Sequence, residues 1–180
     1  MTRRLKARVA RNSQLIARTI KGELDLALAW GDGRDAPRAQ AIADVPIAWV
    51  ARPDWPGPHA LGSDPLPLIA FEPPCVFRDP AVAGLDEAGI AWRLVFTSPS
   101  LAGLWAATEA GLGVTVRTAI GIPGGLMVLD PEAAGLPALP TIALSLHQAE
   151  TDPSEAVARL RAILLDTIRD YGTARSGQPI

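Results

Sequence analysis

The sequence predicts an α/β fold, in which β-strands alternate with helices along the chain. Short apolar runs recur between segments whose apolar residues repeat every three or four positions. This alternation favours parallel sheets covered by helices. The chain has 180 residues, of which 48% are hydrophobic and 20% are charged. That length suits one ordinary domain or two small lobes, and that composition excludes an intrinsically disordered chain.

Roughly the first thirty residues predict a strand–helix–strand unit with a right-handed crossover. Apolar and basic residues alternate over 5–10, which predicts a half-exposed strand. Asn12 is predicted to cap the helix that follows, and Gly22 is predicted to end it. The run 24–30, which closes with Trp30, is predicted to form a mostly buried strand.

The rest of the chain repeats this alternation. Ser98 is predicted to cap a helix that has Pro99 at its first position, and 152–155 forms a capping box before an amphipathic closing helix. Helices are predicted over 76–88, from residue 98 to 111 and after residue 155, and strands over 45–51, 66–71, 92–96, 113–116, 126–129 and 142–146.

Composition and charge exclude several classes of protein. The single cysteine excludes an intramolecular disulfide framework and a cysteine-ligated metal site. A formal net charge of −2 argues against a general nucleic-acid binder. No apolar run reaches the ~20 residues of a membrane helix, and none follows the basic N-terminal residues as an export signal requires. We therefore expect a cytoplasmic protein that does not contact a membrane.

Motifs and spacing do not assemble an enzyme site. The sequence has neither a Gly-x-Gly-x-x-Gly fingerprint nor a phosphate-binding P-loop. The two histidines, His59 and His147, have no spacing that links them to a common site. We therefore predict no catalytic residue, no metal ligand and no cofactor. Cys75, at a predicted helix start, is interpreted either as a reactive thiol or as a small apolar residue that packs there.

Candidate ligand-binding residues collect where predicted strands end and helices begin. Asn12, Trp30, the segment 73–75 and the pair Thr97-Ser98 all lie at such positions. In open α/β sheets this rim binds small ligands, because helix N-termini present unpaired N–H donors there. Each residue alone is more typical of a cap or a core position, but together they predict a shared ligand-binding cleft.

Several segments resemble the effector-binding domain of LysR-type transcriptional regulators. The segment 15–28 is similar to the helix and the Gly-Glu-Leu-Asp-Leu-Ala strand of that domain. Four later segments resemble its second half in order and spacing: 74–78, 88–93, 98–104 and 110–116. The similarity extends from about Leu5 to Tyr171, and its strength lies in the ordered combination of modest motifs.

This resemblance implies the architecture of type-2 periplasmic binding proteins, with two α/β lobes joined by two crossover strands. Lobe one would comprise 1–45 and 142–180, and lobe two 46–141. An effector would bind in the cleft between the lobes. Trp30 stands where some aromatic-acid-sensing members have arginine, which indicates an apolar or aromatic wall there. The resemblance implies six effector-binding residues: Asn12, Trp30, Pro74, Cys75, Thr97 and Ser98.

The sequence also departs from the family by omission. Such regulators begin with a winged helix-turn-helix, a linker helix and a first strand and helix of lobe one, which have no counterpart in this sequence. We therefore expect an N-terminally truncated fold, no DNA binding by this chain itself, and an uncovered apolar face on lobe one. The expected partners are a small-molecule effector and either a second copy of the chain or a full-length regulator.

Two alternatives stay open at this point. A stand-alone solute-binding protein of the same fold is one, although the sequence has no export signal and no lipid-attachment cysteine near its start. An enzyme on this fold is the other, and it would need an acid–base constellation that the sequence does not provide.

Overall fold

The computed structural model describes residues 5–34 and 36–175, which form two compact units. Unit 1 comprises the described residues of 1–45 and 142–180, and unit 2 comprises 46–141. Both units combine strands with helices. Unit 1 holds α1 (Asn12–Ile20), β1 (Leu26–Trp30), the first part of β2 (Ala39–Ala51), nearly all of β7 (Thr141–Gln148) and α5 (Glu155–Arg175).

Unit 2 begins within β2 and contains most of the remaining elements. A 3₁₀ turn at Pro58–Leu61 precedes its parallel strands. The other elements are β3 (Leu66–Ala70), α2 (Arg78–Glu87), β4 (Trp92–Thr97), α3 (Leu101–Glu109), β5 (Val114–Thr118), β6 (Met127–Val128) and α4 (Pro131–Ala134).

The sheet of unit 1 is antiparallel between β1 and β7, with the order β1-β7-β2. Ala27 lies opposite His147, and Ala29 lies opposite Ser145. Helix α1 packs on β1, and its buried Thr19 donates a hydrogen bond from its hydroxyl to the Leu15 carbonyl at 2.9 Å. That bond satisfies a polar group that burial would otherwise leave unpaired.

His147 is a buried histidine with one unsatisfied nitrogen. Its Nε2 lies 2.9 Å from Oγ of Ser145, which itself donates to the Ala29 carbonyl at 3.2 Å. In the tautomer that keeps both of these hydrogen bonds, the serine hydroxyl donates its proton to the Ala29 carbonyl, and Nε2 of His147 carries the imidazole proton and donates it. Nδ1 is then an acceptor, and no described residue offers it a donor. Burial lowers the pKa of His147, so the neutral ring is favoured.

The sheet of unit 2 has the order β2-β5-β3-β4, with β6 also paired to β2. Strand β3 runs parallel to both β4 and β5, whereas β2 is antiparallel to β5 and to β6. Helix α3 covers the sheet by packing Leu104 and Ala107 against Ile69. The fully buried Trp49 on β2 donates its indole N–H to the Pro137 carbonyl at 2.8 Å.

The close approach of β5 to β3 requires glycine at position 113. A Cβ atom there would lie 2.2 Å from the carbonyl oxygen of Pro67, far inside the contact distance that carbon and oxygen tolerate. Next along the strand, the buried Thr115 donates its hydroxyl to the Ile69 carbonyl at 2.8 Å. These two features fix the register of β5 relative to β3.

The predicted strands from residue 24 onward are confirmed, and most of their ends agree within two residues. Strand β2 is the main departure, because it begins at Ala39 instead of residue 45. The prediction of parallel sheets holds for β3, β4 and β5. The pairs β1–β7, β2–β5 and β2–β6 are antiparallel, which a pattern of apolar runs cannot distinguish.

The predicted first strand over 5–10 is wrong, and with it the crossover unit. Residues 5–11 form no regular element, and both Leu5 and Val9 are exposed. Alternation of apolar and basic residues predicts a strand only when a partner strand and a core face are available. No described strand pairs with this segment, so its apolar residues have no sheet to form and no core surface to pack against.

The three predicted helix caps are displaced. Asn12 is the first helical residue, with Arg11 in the cap position, because the Asn12 side chain bonds elsewhere. Ser100 precedes α3, since the Ser98 hydroxyl bonds to the backbone of Ser100 instead of a helical N–H. The closing helix begins at Glu155, three residues after the predicted cap at residue 152.

None of the helices that the structure describes is both long enough and apolar enough to cross a membrane.

Replacing Gly113 by alanine is expected to destabilise the protein by about 1–3 kcal/mol, because the new methyl group overlaps the Pro67 carbonyl. The matched control is Gly124→Ala, where an added Cβ meets no atom within 4 Å. That change should alter stability by less than about 1 kcal/mol. Urea unfolding followed by circular dichroism measures both, and equal midpoints for the two variants would contradict the close approach.

Acid is expected to destabilise the protein through His147. The folded state lowers the pKa of this ring below 6.5, so the unfolded chain binds more protons as the pH falls. Stability is therefore fully present above pH 6.5 and declines below it, by at most about 1.4 kcal/mol per pH unit for this one group. In His147→Gln, the slope of unfolding free energy against pH should be shallower below 6.5. An unchanged slope would show that another group controls acid stability.

Candidate functional site

The carboxyl ends of three parallel strands meet at one edge of unit 2. Ala70 of β3 lies opposite Thr97 of β4, and Ile69 lies opposite Thr115 of β5. The next residues along these strands therefore arrive at the same edge. They place Phe71 beside Arg117, two residues beyond the Ile69 and Thr115 pair. This is the rim at which α/β sheets commonly bind ligands.

A small pocket opens at this edge, which we call the strand-end pocket. It holds about 210 Å³ of empty space that is partly open to solvent, and its enclosed part has room for about one water-sized group. Most of its wall is apolar, and Arg78 is the charged residue in it. Its lining consists of residues 68–71, Cys75, Phe77, Arg78, Leu104 and Val116.

Arg117 flanks the strand-end pocket through two of its aromatic residues. Its guanidinium carbon lies 4.2 Å from the ring centroid of Phe77 and 5.1 Å from that of Phe71. Both are cation–π contacts, which attract a cation electrostatically but provide no counter-charge. Burial lowers the pKa of Arg117 to about 10, and interaction with Cys75 acts in the opposite direction. The side chain therefore remains a cation at neutral pH.

Arg78 is the first residue of α2, and its position follows from the turn before it. The Cys75 carbonyl accepts hydrogen bonds from the N–H groups of Arg78 and Asp79, at 3.1 and 3.2 Å. This turn places both Cys75 and Arg78 in the lining of the strand-end pocket. Nε of Arg78 is buried and has no hydrogen-bond partner among the described residues.

The two cations at the strand-end pocket have no acidic partner among residues 5–34 and 36–175. The ion pairs within that part of the chain join Arg18 to Glu23, Arg34 to Asp32, Arg52 to Asp54 and Arg169 to Asp166. Neither Arg78 nor Arg117 takes part in any of them. The pocket is therefore bordered by positive charge that described carboxylates do not neutralise.

The structure places the four predicted site residues of unit 2 at or near this edge. Cys75 lines the strand-end pocket and is 8% exposed, whereas Pro74, Thr97 and Ser98 are not part of its lining. Thr97 is exposed at the end of β4. The Ser98 hydroxyl accepts from the Ser100 N–H at 3.1 Å and donates to the Ser100 carbonyl, so it is already committed to the turn.

The two predicted site residues of unit 1 are joined by hydrogen bonds. The Asn12 amide donates to the Trp30 carbonyl at 2.8 Å, and its oxygen accepts from the Trp30 N–H at 3.2 Å. The side chain of Asn12 thus attaches the start of α1 to the end of β1. The amide still has one N–H and one lone pair available for a further partner.

Sequence reasoning missed the two arginines and the two aromatic rings. Arg117 offered a signal, since it is a charged residue within the otherwise uncharged run 114–118. A charge inside a buried strand is unusual unless it has a partner or a ligand. Arg78 gave no such signal, because the sequence alone does not distinguish an arginine that lines a pocket at a helix start from one that is exposed to solvent there.

The described residues contain no group of three or more His, Cys, Asp or Glu side chains that could hold a metal ion. The strand-end pocket offers one cationic donor in its lining, Arg78, together with a cysteine and apolar walls, and Arg117 lies against two of its aromatic residues.

Comparison with known proteins gives a consistent result. The family profile described as LysR substrate binding domain matches residues 4–169. The transcriptional regulator PecT of Dickeya dadantii (strain 3937) is 30% identical over 135 residues, which are 73% of this chain and 40% of PecT. The regulator DgdR of Burkholderia cepacia is 29% identical over 134 residues, 72% of this chain and 44% of DgdR. The matched region thus spans less than half of either relative.

A solved structure shows the same fold. The regulatory domain of CcmR from Synechocystis PCC6803, in complex with 2-PG, superposes with a TM-score of 0.63. The match covers 87% of this chain and 79% of that domain, at 18% sequence identity. The expected type-2 periplasmic-binding-protein-like fold is thereby confirmed. The match of the family profile over nearly the whole chain establishes that this protein belongs to the LysR substrate-binding domain family.

Proposed function

We propose that this chain is the effector-sensing part of a LysR-type transcriptional regulator and that it binds a small metabolite without transforming it. The observation that carries this proposal is the family match over residues 4–169. The matched relatives PecT and DgdR are transcriptional regulators, and the regulatory domain of CcmR was solved with a small molecule, 2-PG.

In this proposal, units 1 and 2 are the two regulatory subdomains, and each holds candidate effector-binding residues. Unit 1 contributes Asn12 and Trp30, and unit 2 contributes Pro74, Cys75, Thr97 and Ser98. The support in unit 2 is that the β3–α2 turn and the end of β4 belong to one sheet edge. The support in unit 1 is that Asn12 and Trp30 are adjacent through two hydrogen bonds.

Effector binding would act by shifting populations between conformations, since a ligand favours whichever state it binds more tightly. This mechanism needs no reacting group. In a full regulator, the shift would alter how subunits are arranged, and the partner would be a second copy or a full-length relative. Turnover of a metabolite that depends on a single Asp or Glu would contradict the non-enzymatic assignment.

The chain itself is proposed to act without contacting DNA, in the cytoplasm. The formal net charge of −2 supports the first part of this proposal, because DNA-binding domains commonly carry a surplus of basic side chains. A retarded band with DNA from upstream of its own gene, at physiological salt, would contradict the proposal.

Thermal-shift screening of a library of small organic metabolites is expected to find a compound that stabilises the full chain. A ligand at 100 times its Kd adds about 2.7 kcal/mol to the free energy of unfolding. For that compound, Thr97→Leu should weaken binding about tenfold or more, because a larger apolar side chain would obstruct the sheet edge. The matched control is Thr151→Leu at another exposed threonine, outside the proposed site.

Calorimetric titration of both leucine variants shows whether Thr97 contributes to ligand binding. Thr97→Leu should retain the wild-type melting temperature without ligand, since the side chain is exposed. Equal affinities for the two leucine variants would remove Thr97 from the proposed site. A library in which no compound stabilises the wild-type chain would contradict the sensing function itself.

A further inference from the structure

We propose that the effector is a carboxylic acid, whose carboxylate is bound by Arg78 and Arg117 at the strand-end pocket. This inference rests on the proposed sensing function and specifies the chemistry of its ligand. Neither arginine was among the residues that the sequence predicts for the site. The observation behind it is a pair of cations at one pocket without a described counter-ion.

Burial of an unpaired charge is unfavourable, so proteins usually pair it or reserve it for a ligand. Arg117 lies against Phe71 and Phe77, and these rings accept none of its N–H groups. No described side chain or carbonyl accepts from its guanidinium. Its N–H groups are therefore free of acceptors from the described residues, and none of them is fully buried, so a ligand at the sheet edge can accept hydrogen bonds from them.

Arg78 supplies a second, independent indication. Its Nε is buried and unpartnered, yet the residue lines a pocket that has room for about one water-sized group. A buried N–H donor without an acceptor is costly, and an oxygen atom in the pocket would satisfy it. Phe71, Phe77 and Cys75 connect the two arginines, because they line the pocket together with Arg78, and because the two rings contact the Arg117 guanidinium and Cys75 interacts with it electrostatically.

The shape and lining of the strand-end pocket favour a carboxylate over other anions. Guanidinium groups bind planar carboxylates with two parallel hydrogen bonds. The enclosed part has room for about one oxygen atom of a carboxylate, and the rest of the ligand would lie in the part of the pocket that is open to solvent. Phe71 is an apolar wall that is only partly buried, so the body attached to the carboxylate should be hydrocarbon or aromatic.

The test compares acids with their neutral amides, using the full chain at constant ionic strength. The probes are benzoate against benzamide and propionate against propionamide. Each acid is expected to raise the melting temperature in a saturable manner, and each amide is expected to leave it unchanged. Stabilisation of equal size by an acid and its amide would overturn the inference.

Variants locate the bound acid. Arg117→Met and Arg78→Met should each weaken acid binding at least tenfold in calorimetric titration. Arg93→Met is the matched control, because Arg93 is an exposed arginine on β4 away from the pocket lining, and it should bind as the wild type does. Acid affinity that survives both substitutions at the pocket would overturn the inference.

Folding of the variants is checked by the melting temperature without probe. Arg117→Lys keeps the charge but cannot form two parallel hydrogen bonds to a carboxylate, so it should bind acids with intermediate affinity. This variant replaces Arg117→Met in the titration if Arg117→Met does not fold. Inorganic phosphate that binds through these arginines while both acids fail would exclude a carboxylate. A neutral metabolite that binds equally to the wild type and to Arg117→Met would overturn this inference and leave the sensing function standing.

Discussion

The position of β5 is the constraint on which the site in unit 2 depends. This strand lies between β2 and β3, and it pairs antiparallel with the first and parallel with the second. Gly113 permits the close approach to the Pro67 carbonyl, and the Thr115 hydroxyl adds a bond to the backbone of β3. Because these contacts fix the register, Arg117 arrives at the level of Phe71. A shift of the β5 register by one residue would turn the Arg117 side chain to the other face of the sheet.

The two units satisfy their buried polar groups in different ways. In unit 1, Asn12 bonds to the backbone of Trp30, and Ser145 bonds to Ala29, so strand and helix ends are internally paired. His147 is the described exception there, and burial keeps its ring neutral. In unit 2, the described exception is Nε of Arg78, at a pocket that is partly open. Charge complementarity toward a ligand is therefore expected from unit 2.

The sequence predicted the fold class and the later strands because a buried strand is rich in apolar residues, as in 66–70. It could not predict the first strand correctly, since alternation over 5–10 does not show whether a partner strand exists. The cap at Ser98 failed for a local reason, because the hydroxyl bonds within its own turn. Cys75 and the strand ends were predicted because they lie where predicted strands end and helices begin, but the two arginines at the pocket were not predicted. Whether an arginine is paired depends on which side chains surround it in three dimensions, and spacing along the chain does not reveal that.

The most direct test of the account is the location of a bound acid on the folded chain. In a two-dimensional ¹H–¹⁵N NMR titration with benzoate, the largest amide shifts are predicted at Phe71, Cys75 and Arg117, with one binding curve describing all three. Shifts that spread evenly over the surface, or that concentrate on the closing helix α5 and leave the strand-end pocket unchanged, would contradict the account.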